Sequence, residues 1–335
     1  MNFHKLALIT TVIAFIAIIL GAYTRLSDAG LGCPDWPGCY GQMNVPVTQN
    51  ELLQANEAYP DRPVEADKAW KEMLHRYAAG TLGLSILILC LVAWKNRKDA
   101  RQAILLPTLL VGIVIFQALL GMWTVTLLLK PLVVMVHLLF GFLTLAILFW
   151  LTLRSANYFR LSEQILNLRY RLPALLAVII LIMQIALGGW TSSNYAALVC
   201  PDLPTCQASW WPAMNFHDAF VLWQEKVGLG TDVNYEGGVL DLQARTAIHW
   251  VHRIGAVITF LYLFSLGLII YRKSQGSVMP AAGLLVVAIV TFQFCLGLAN
   301  VFFNLPLFVA VAHNATAALL LLSVVLLNYM LHLRE

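Results

Sequence analysis

The sequence predicts an all-α polytopic membrane protein, with eight transmembrane helices arranged as two tandem, pseudo-twofold-related four-helix bundles. Three observations carry that prediction. Only 11% of the residues are charged and 60% are hydrophobic, whereas a soluble domain carries about 25% charged residues. Eight apolar stretches each reach the roughly 20 residues that a helix needs to cross about 30 Å of hydrocarbon. The second half of the chain also repeats the first, motif by motif.

The first stretch, about 5–24, is too long for a signal-peptide core and lacks a convincing small-residue cleavage site, so it reads as a retained anchor. The others fall near 71–94, 103–128, 132–153, 172–192, 246–271, 279–303 and 307–331. Each is expected to be helical, because a segment in lipid must satisfy its own backbone hydrogen bonds. No separate soluble domain is visible. The net charge of +4 is spread over short loops and gives no signal for nucleic acid.

The links after the second, fourth and sixth spans are richer in basic residues for their length than the others: "KNRKDAR" at 95–101, then Arg154, Arg160, Arg169 and Arg171, then Arg272 and Lys273. The two long links, about 25–70 and 193–245, hold most of the acids. By the positive-inside rule both termini are cytoplasmic and the long loops are external.

The repeat sets the domain organisation. "LGAYTRLSDAGLGCPDWPGC" (20–39) aligns without a gap to "LGGWTSSNYAALVCPDLPTC" (187–206). "LHRYAAGTLG" (74–83) matches "VHRIGAVITF" (251–260), and "FQALLG" (116–121) matches "FQFCLG" (292–297). His137 follows Gln117 by 20 residues, as His313 follows Gln293. The halves are 1–155 and 156–335. Each holds an even number of spans, so the copies share one orientation about an axis along the membrane normal.

Five of the eight histidines lie in spans: His75, His137, His249, His252 and His313. Polar side chains at membrane depth are costly and face the bundle interior. A lone one is often no more than an interhelical hydrogen bond. Here each half places one on its second span and one on its fourth, both near the external end. Two imidazoles at matched depth on facing helices suit a bis-histidine haem iron. Zinc would demand further ligands, and Cys90 and Cys295 read as core residues. Arg76 and Arg253, directly after the second-span histidines, are candidate partners for haem propionates or snorkelling anchors. Gln117 and Gln293 read as interhelical glue.

Together "EMLHR" (72–76), "VHR" (251–253), His137, His313 and the paired CPDxPxC loops resemble the haem A synthase family across essentially the whole chain. The resemblance implies oxidation of a methyl group of haem O to the formyl group of haem A for terminal oxidases. It implies a resident haem b in one half and the substrate haem in the other. The partners it implies are haem O, the lipid membrane, haem O synthase and terminal-oxidase assembly factors, with no nucleic acid. The external loops, with no transit peptide, fit a bacterial plasma membrane.

The halves differ at one residue beside a ligand. Glu72 precedes His75 by three positions, on the same helix face, and its aligned counterpart is His249. The carboxylate assigns His75, His137 and catalytic Glu72 to the substrate half, and His252 and His313 to the resident haem. Glu72 also has a plainer reading, an acid favoured by the dipole at a helix N-terminus. His249 shares a face with His252 and is an alternative iron ligand.

Cys33 with Cys39, and Cys200 with Cys206, lie on the expected oxidising side, where disulfides persist. A structural clasp over each haem cleft is the favoured reading. A redox-active pair and a metal knuckle stay open. The segment 216–228 mixes apolar and charged positions and is expected to lie along the membrane surface. Two rival functions stand beside this reading: a diheme electron carrier, which would use the same four histidines, and a haem exporter or chaperone, which would bind haem weakly at one site.

Overall fold

The structure is a computed structural model that describes residues 2–99, 102–156, 168–223, 233–274 and 278–332. Arg160 and residues 224–228 of the surface segment lie outside the described residues. Eight long helices lie close to the expected spans: α1 (Phe3–Leu26), α3 (Ala66–Lys95), α4 (Leu105–Thr126), α5 (Pro131–Ala156), α6 (Arg171–Ser193), α8 (Leu242–Lys273), α9 (Val278–Phe302) and α10 (Leu307–His332). Two short helices, α2 (Gln49–Ala58) and α7 (Phe216–Ala219), sit in the long loops. All eight long helices are apolar and long enough to cross a membrane, so the protein is a multi-pass membrane protein.

Hydroxyls inside these helices bond to the carbonyl one turn back: Thr10 to Leu6 and Thr11 to Ala7, each at 2.8 Å. Two starts are earlier than the hydropathy suggests. Helix α8 is capped by Asp241, whose carboxylate accepts from the Ala244 N–H at 2.7 Å. Helix α3 begins at Ala66, and its first turns are held by a Lys71–Asp67 pair at 2.5 Å.

Helix α1 packs against α3 and α5, and α4 packs against the same two. In the second half α6 packs against α8 and α10, and α9 against the same two. The groups meet where α5 touches α6 and α10, and where α1 touches α10. Between α8 and α9 the backbones touch: a Cβ on Gly267 would come within 2.7 Å of the Gly283 carbonyl oxygen. Only glycine allows that approach.

Packing differs along the bundle. The apolar core fills the end away from the disulfide loops and is continuous across both groups, from Leu6, Ile86 and Leu148 to Leu181, Leu263 and Leu327. The loop end is hollow. Both cysteine pairs are disulfide-bonded, with Cα atoms 4.8 and 4.6 Å apart. The sulfurs are therefore not free to bind a metal as thiolates. In each loop the aspartate of the motif is the hub: Asp35 accepts from the Tyr40 and Gly41 N–H groups, and Asp202 from those of Gln207 and Ala208. The four donating residues have positive φ, a turn conformation that the carboxylate bonds hold in place.

Candidate haem-binding site

One cavity of about 1850 Å³ occupies the loop end and is lined from both groups of helices. Typical small-molecule sites hold about 300–1,000 Å³, so this space admits more than one large ligand. His75, His137, His252 and His313 all line it, as do Glu72, Arg76, His249 and Arg253.

Every one of the four histidines faces a glycine on the neighbouring helix. A Cβ on Gly21 of α1 would lie 2.8 Å from His75 Cε1, and one on Gly188 of α6 would lie 3.3 Å from His252 Cε1. The corresponding distances are 3.4 Å for Gly121 of α4 to His137, and 3.3 Å for Gly297 of α9 to His313. The glycines are repeat mates, so the notch that admits each ring is itself repeated.

The His75 and His137 rings stand 6.4 Å apart between centroids, at 84° to each other. With metal–nitrogen bonds of about 2 Å, two imidazoles sharing one iron would have centroids about 6 Å apart. His75 Nδ1 lies 3.1 Å from the Ala17 carbonyl oxygen. That bond fixes the proton on Nδ1 and leaves Nε2 as the ligating nitrogen. Gln117 of α4 donates to the His137 backbone carbonyl at 2.9 Å, and the amide of Gln293 on α9 lies 3.2 Å from His313 Nε2. Both glutamines thus join helices, as expected, and do so at the histidines. His137 Nδ1 and His313 Nδ1 are buried without a hydrogen-bond partner, which natural proteins seldom tolerate without a reason. Paired rings, glycine notches and orphaned nitrogens fit haem iron. Among the described residues no three His, Cys, Asp or Glu side chains converge on a point, so a site built only from protein ligands has no counterpart here.

Glu72 is the seventh residue of α3, beyond the first turn where the dipole acts, and is only 5% exposed. Its carboxylate pairs with Arg76 at 2.5 Å and accepts from the Cys33 N–H at 2.9 Å. The same arginine donates to the carbonyls of Asp35 at 2.9 Å, Pro37 at 3.3 Å, and Gly38. Arg253 repeats the clamp on the other loop, donating to Asp202 and Thr205 at 2.9 Å and to Cys200 at 2.6 Å. Its Nε donates to His249 Nε2 at 3.3 Å. Both arginines therefore dock the CPDxPxC loops onto the helices.

His249, 4% exposed, occupies the place of Glu72 and partners the arginine one turn on. His252 is the ring that faces a glycine notch. Cys90 is buried as expected; Cys295, expected in the core, is exposed on α9. Sequence reasoning did not identify the four glycines or Gln184, whose amide contacts His252. The glycines were visible inside the repeated "LG", "FQALLG" and "FQFCLG" segments, but their partners lie on other helices.

Fold and site together define a polytopic membrane protein with two sets of paired histidines around one cavity at the disulfide-loop end. A family model described as cytochrome oxidase assembly protein (COX15-CtaA) matches residues 4–325, and the chain belongs to that family. It is 46% identical over 324 residues to a protein from Shewanella oneidensis named heme A synthase, covering 96% of this chain and 94% of that one. A Flavobacterium psychrophilum protein of the same name is 27% identical over 352 residues (96% and 94%). One from Bacillus cereus is 24% identical over 314 residues (92% and 86%).

Proposed function

We propose that this protein is a haem A synthase, an oxidoreductase that converts a methyl group of haem O to the formyl group of haem A. The observation that carries the reading is the pair of imidazoles, His75 and His137, with centroids 6.4 Å apart across the cavity, in a chain of this family. The substrate haem sits in the N-terminal half, 1–155, gripped by these two histidines. His252 and His313 would hold a resident haem b in the half 156–335, where it would supply one-electron redox chemistry. With water supplying the oxygen atom, methyl to alcohol and alcohol to aldehyde each give up two electrons, to an electron acceptor outside this chain, and two protons beside the substrate. Glu72, held by Arg76 and the Cys33 N–H, is the group that accepts them. Arg76 and Arg253 keep the loops closed over the clefts, excluding water, and their remaining N–H groups are available to propionates. The termini are cytoplasmic, the loops external, and the membrane is the bacterial plasma membrane.

Co-expression with a supply of haem O, followed by reverse-phase chromatography of the extracted pigment, tests this. Haem A or its hydroxylated precursor is expected. Two unmodified haems b would make the protein an electron carrier, and weakly bound, unaltered haem at one site would make it an exporter.

A further inference from the structure

The two bundles hold their second-span histidines by different means. In the first, the main-chain carbonyl of Ala17 meets His75 Nδ1 at 3.1 Å. The repeat mate of Ala17 is Gln184 on α6, and there the side chain takes over. Its Nε2 lies 3.0 Å from His252 Nδ1 and 3.1 Å from the His252 backbone carbonyl. Room for that amide comes from α8: a Cβ on Gly255 would run into Gln184 Oε1 and lie 3.1 Å from Leu187 Cδ1. The first half has Ala78 at the mate of Gly255. An alanine–alanine pair has become a glutamine–glycine pair, large residue matched to small.

We infer that Gln184 is a positioning residue for His252, setting the iron affinity of that imidazole for the ferric or ferrous state separately from the other half. The inference rests on the reading of His252 as an iron ligand. A neutral imidazole that ligates through Nε2 carries its proton on Nδ1 and needs an acceptor there. A half-turn of the Gln184 amide presents Oε1 to that proton, since oxygen and nitrogen exchange places, and gives up the Nε2 bond to the His252 carbonyl in exchange. Oε1 is otherwise buried without a partner. An acceptor on Nδ1–H makes the imidazole a stronger donor to iron and favours the ferric state. The Ala17 carbonyl belongs to the α1 backbone and cannot turn. The amide can, so the second-half iron has an acceptor whose strength depends on side-chain identity.

The test is a redox titration of the second-half haem in the whole protein, purified from cells that make no haem O, followed by absorbance. Gln184→Leu removes the acceptor. It is expected to move the ferric-to-ferrous ratio about tenfold toward ferrous, about 59 mV upward for one electron. Gln184→Glu supplies a stronger acceptor and is expected to move it the other way. Gly255→Ala displaces the amide and is expected to follow the leucine variant with a smaller shift. Opposite signs for leucine and glutamate are not what lost packing would produce. Retained bis-histidine spectra with an unmoved potential in both variants would overturn the inference. So would loss of haem in both, which would make Gln184 a packing residue. If His252→Ala leaves the haem of the otherwise unaltered protein untouched, the ligand assignment fails first and takes this inference with it.

Discussion

The first and second bundles share a cradle and differ in what surrounds it. In both, a glycine notch receives each imidazole and an arginine clamps a disulfide loop to the second span of the half. In the first, the arginine's partner one turn back is the carboxylate of Glu72; in the second it is the imidazole of His249. The second bundle is also richer in amides facing the cavity, with Gln184, Gln293, Asn300 and Asn314 where the first has Ala17, Gln117, Thr124 and Leu138. Both halves keep the backbone geometry that would hold a planar ligand under the proposed function. Divergence acted on side chains that can move a proton or tune a ligand. That division suits one bundle that reacts and one that retains its cofactor.

The sharpest way to break the comparison is to make the first bundle like the second. Glu72→His should give Arg76 the partner that Arg253 has, keep the loop docked and leave the second-half haem spectrum intact. Formyl product should fall by about 10²-fold or more, the scale of a lost general acid–base group. Glu72→Ala should lose as much product. It also strips a buried charge of its partner, a cost of about 3–5 kcal/mol; the pair's side chains are only 11% and 6% exposed. Chromatography of extracted haems reads the first effect and thermal unfolding the second. If Glu72→His makes haem A normally, the carboxylate has no chemical role and the halves are functionally equal.

The glycine notches give the next largest effect. A Cβ at Gly21 would meet His75 at 2.8 Å, so something must shift; at Gly188 the gap to His252 is 3.3 Å, and a few tenths of an ångström suffice. Overpacking costs about 1–3 kcal/mol. Gly21→Ala should fall at the upper end and weaken haem binding in the first half by about tenfold or more. Gly188→Ala should weaken the second half severalfold. Soret titration in the two variants measures the ratio.

What could be read from sequence follows from which constraints are local. Span positions were legible because lipid forces length and apolarity onto one continuous segment. The starts of α3 and α8 were set too late because their first turns are polar and stabilised by Asp67 and Asp241, beyond the reach of hydropathy. Helix α2 was missed although Thr48 and Glu51 form a capping box, whose T-x-x-E spacing is visible in the chain. The histidines stood out because ionisable groups are rare in spans. The loop clamps of Arg76 and Arg253 were not legible, since their acceptors are backbone carbonyls and carry no side-chain signature.

Replacing the clamping arginines separates docking from chemistry. Hydrogen bonds from a charged donor contribute about 1.5–3 kcal/mol, so Arg253→Lys should loosen the second loop by about that much, read as faster amide exchange from 200 to 206. Product formation should change little. Arg76→Lys should loosen the first loop similarly and also disturb Glu72, lowering product formation. Equal effects on product from both substitutions would mean that loop closure, not the carboxylate, distinguishes the halves.

The smallest effect concerns the loops themselves. The Thr205 hydroxyl bonds to Asp202, with the Ala208 and Gln207 N–H groups adding to it, and these hold the Asp202 carboxyl below its ordinary range. The first loop has Gly38 at the mate of Thr205, so Asp35 receives no such hydroxyl. For a carboxylate depressed in the folded state, the stabilisation is complete above its unfolded value, near 3.8, and is lost as pH falls through the folded value. The second loop should therefore be indifferent to pH between about 5 and 8 and loosen only below about 4. Thr205→Ala removes the largest cause of the depression and brings the folded value back toward 3.8, so the loosening on acidification should be smaller and finish at a higher pH. Amide exchange at Gln207 and Ala208 across an acid series measures that response; an acid response the same as in the unaltered protein would mean the backbone N–H groups alone hold the carboxylate.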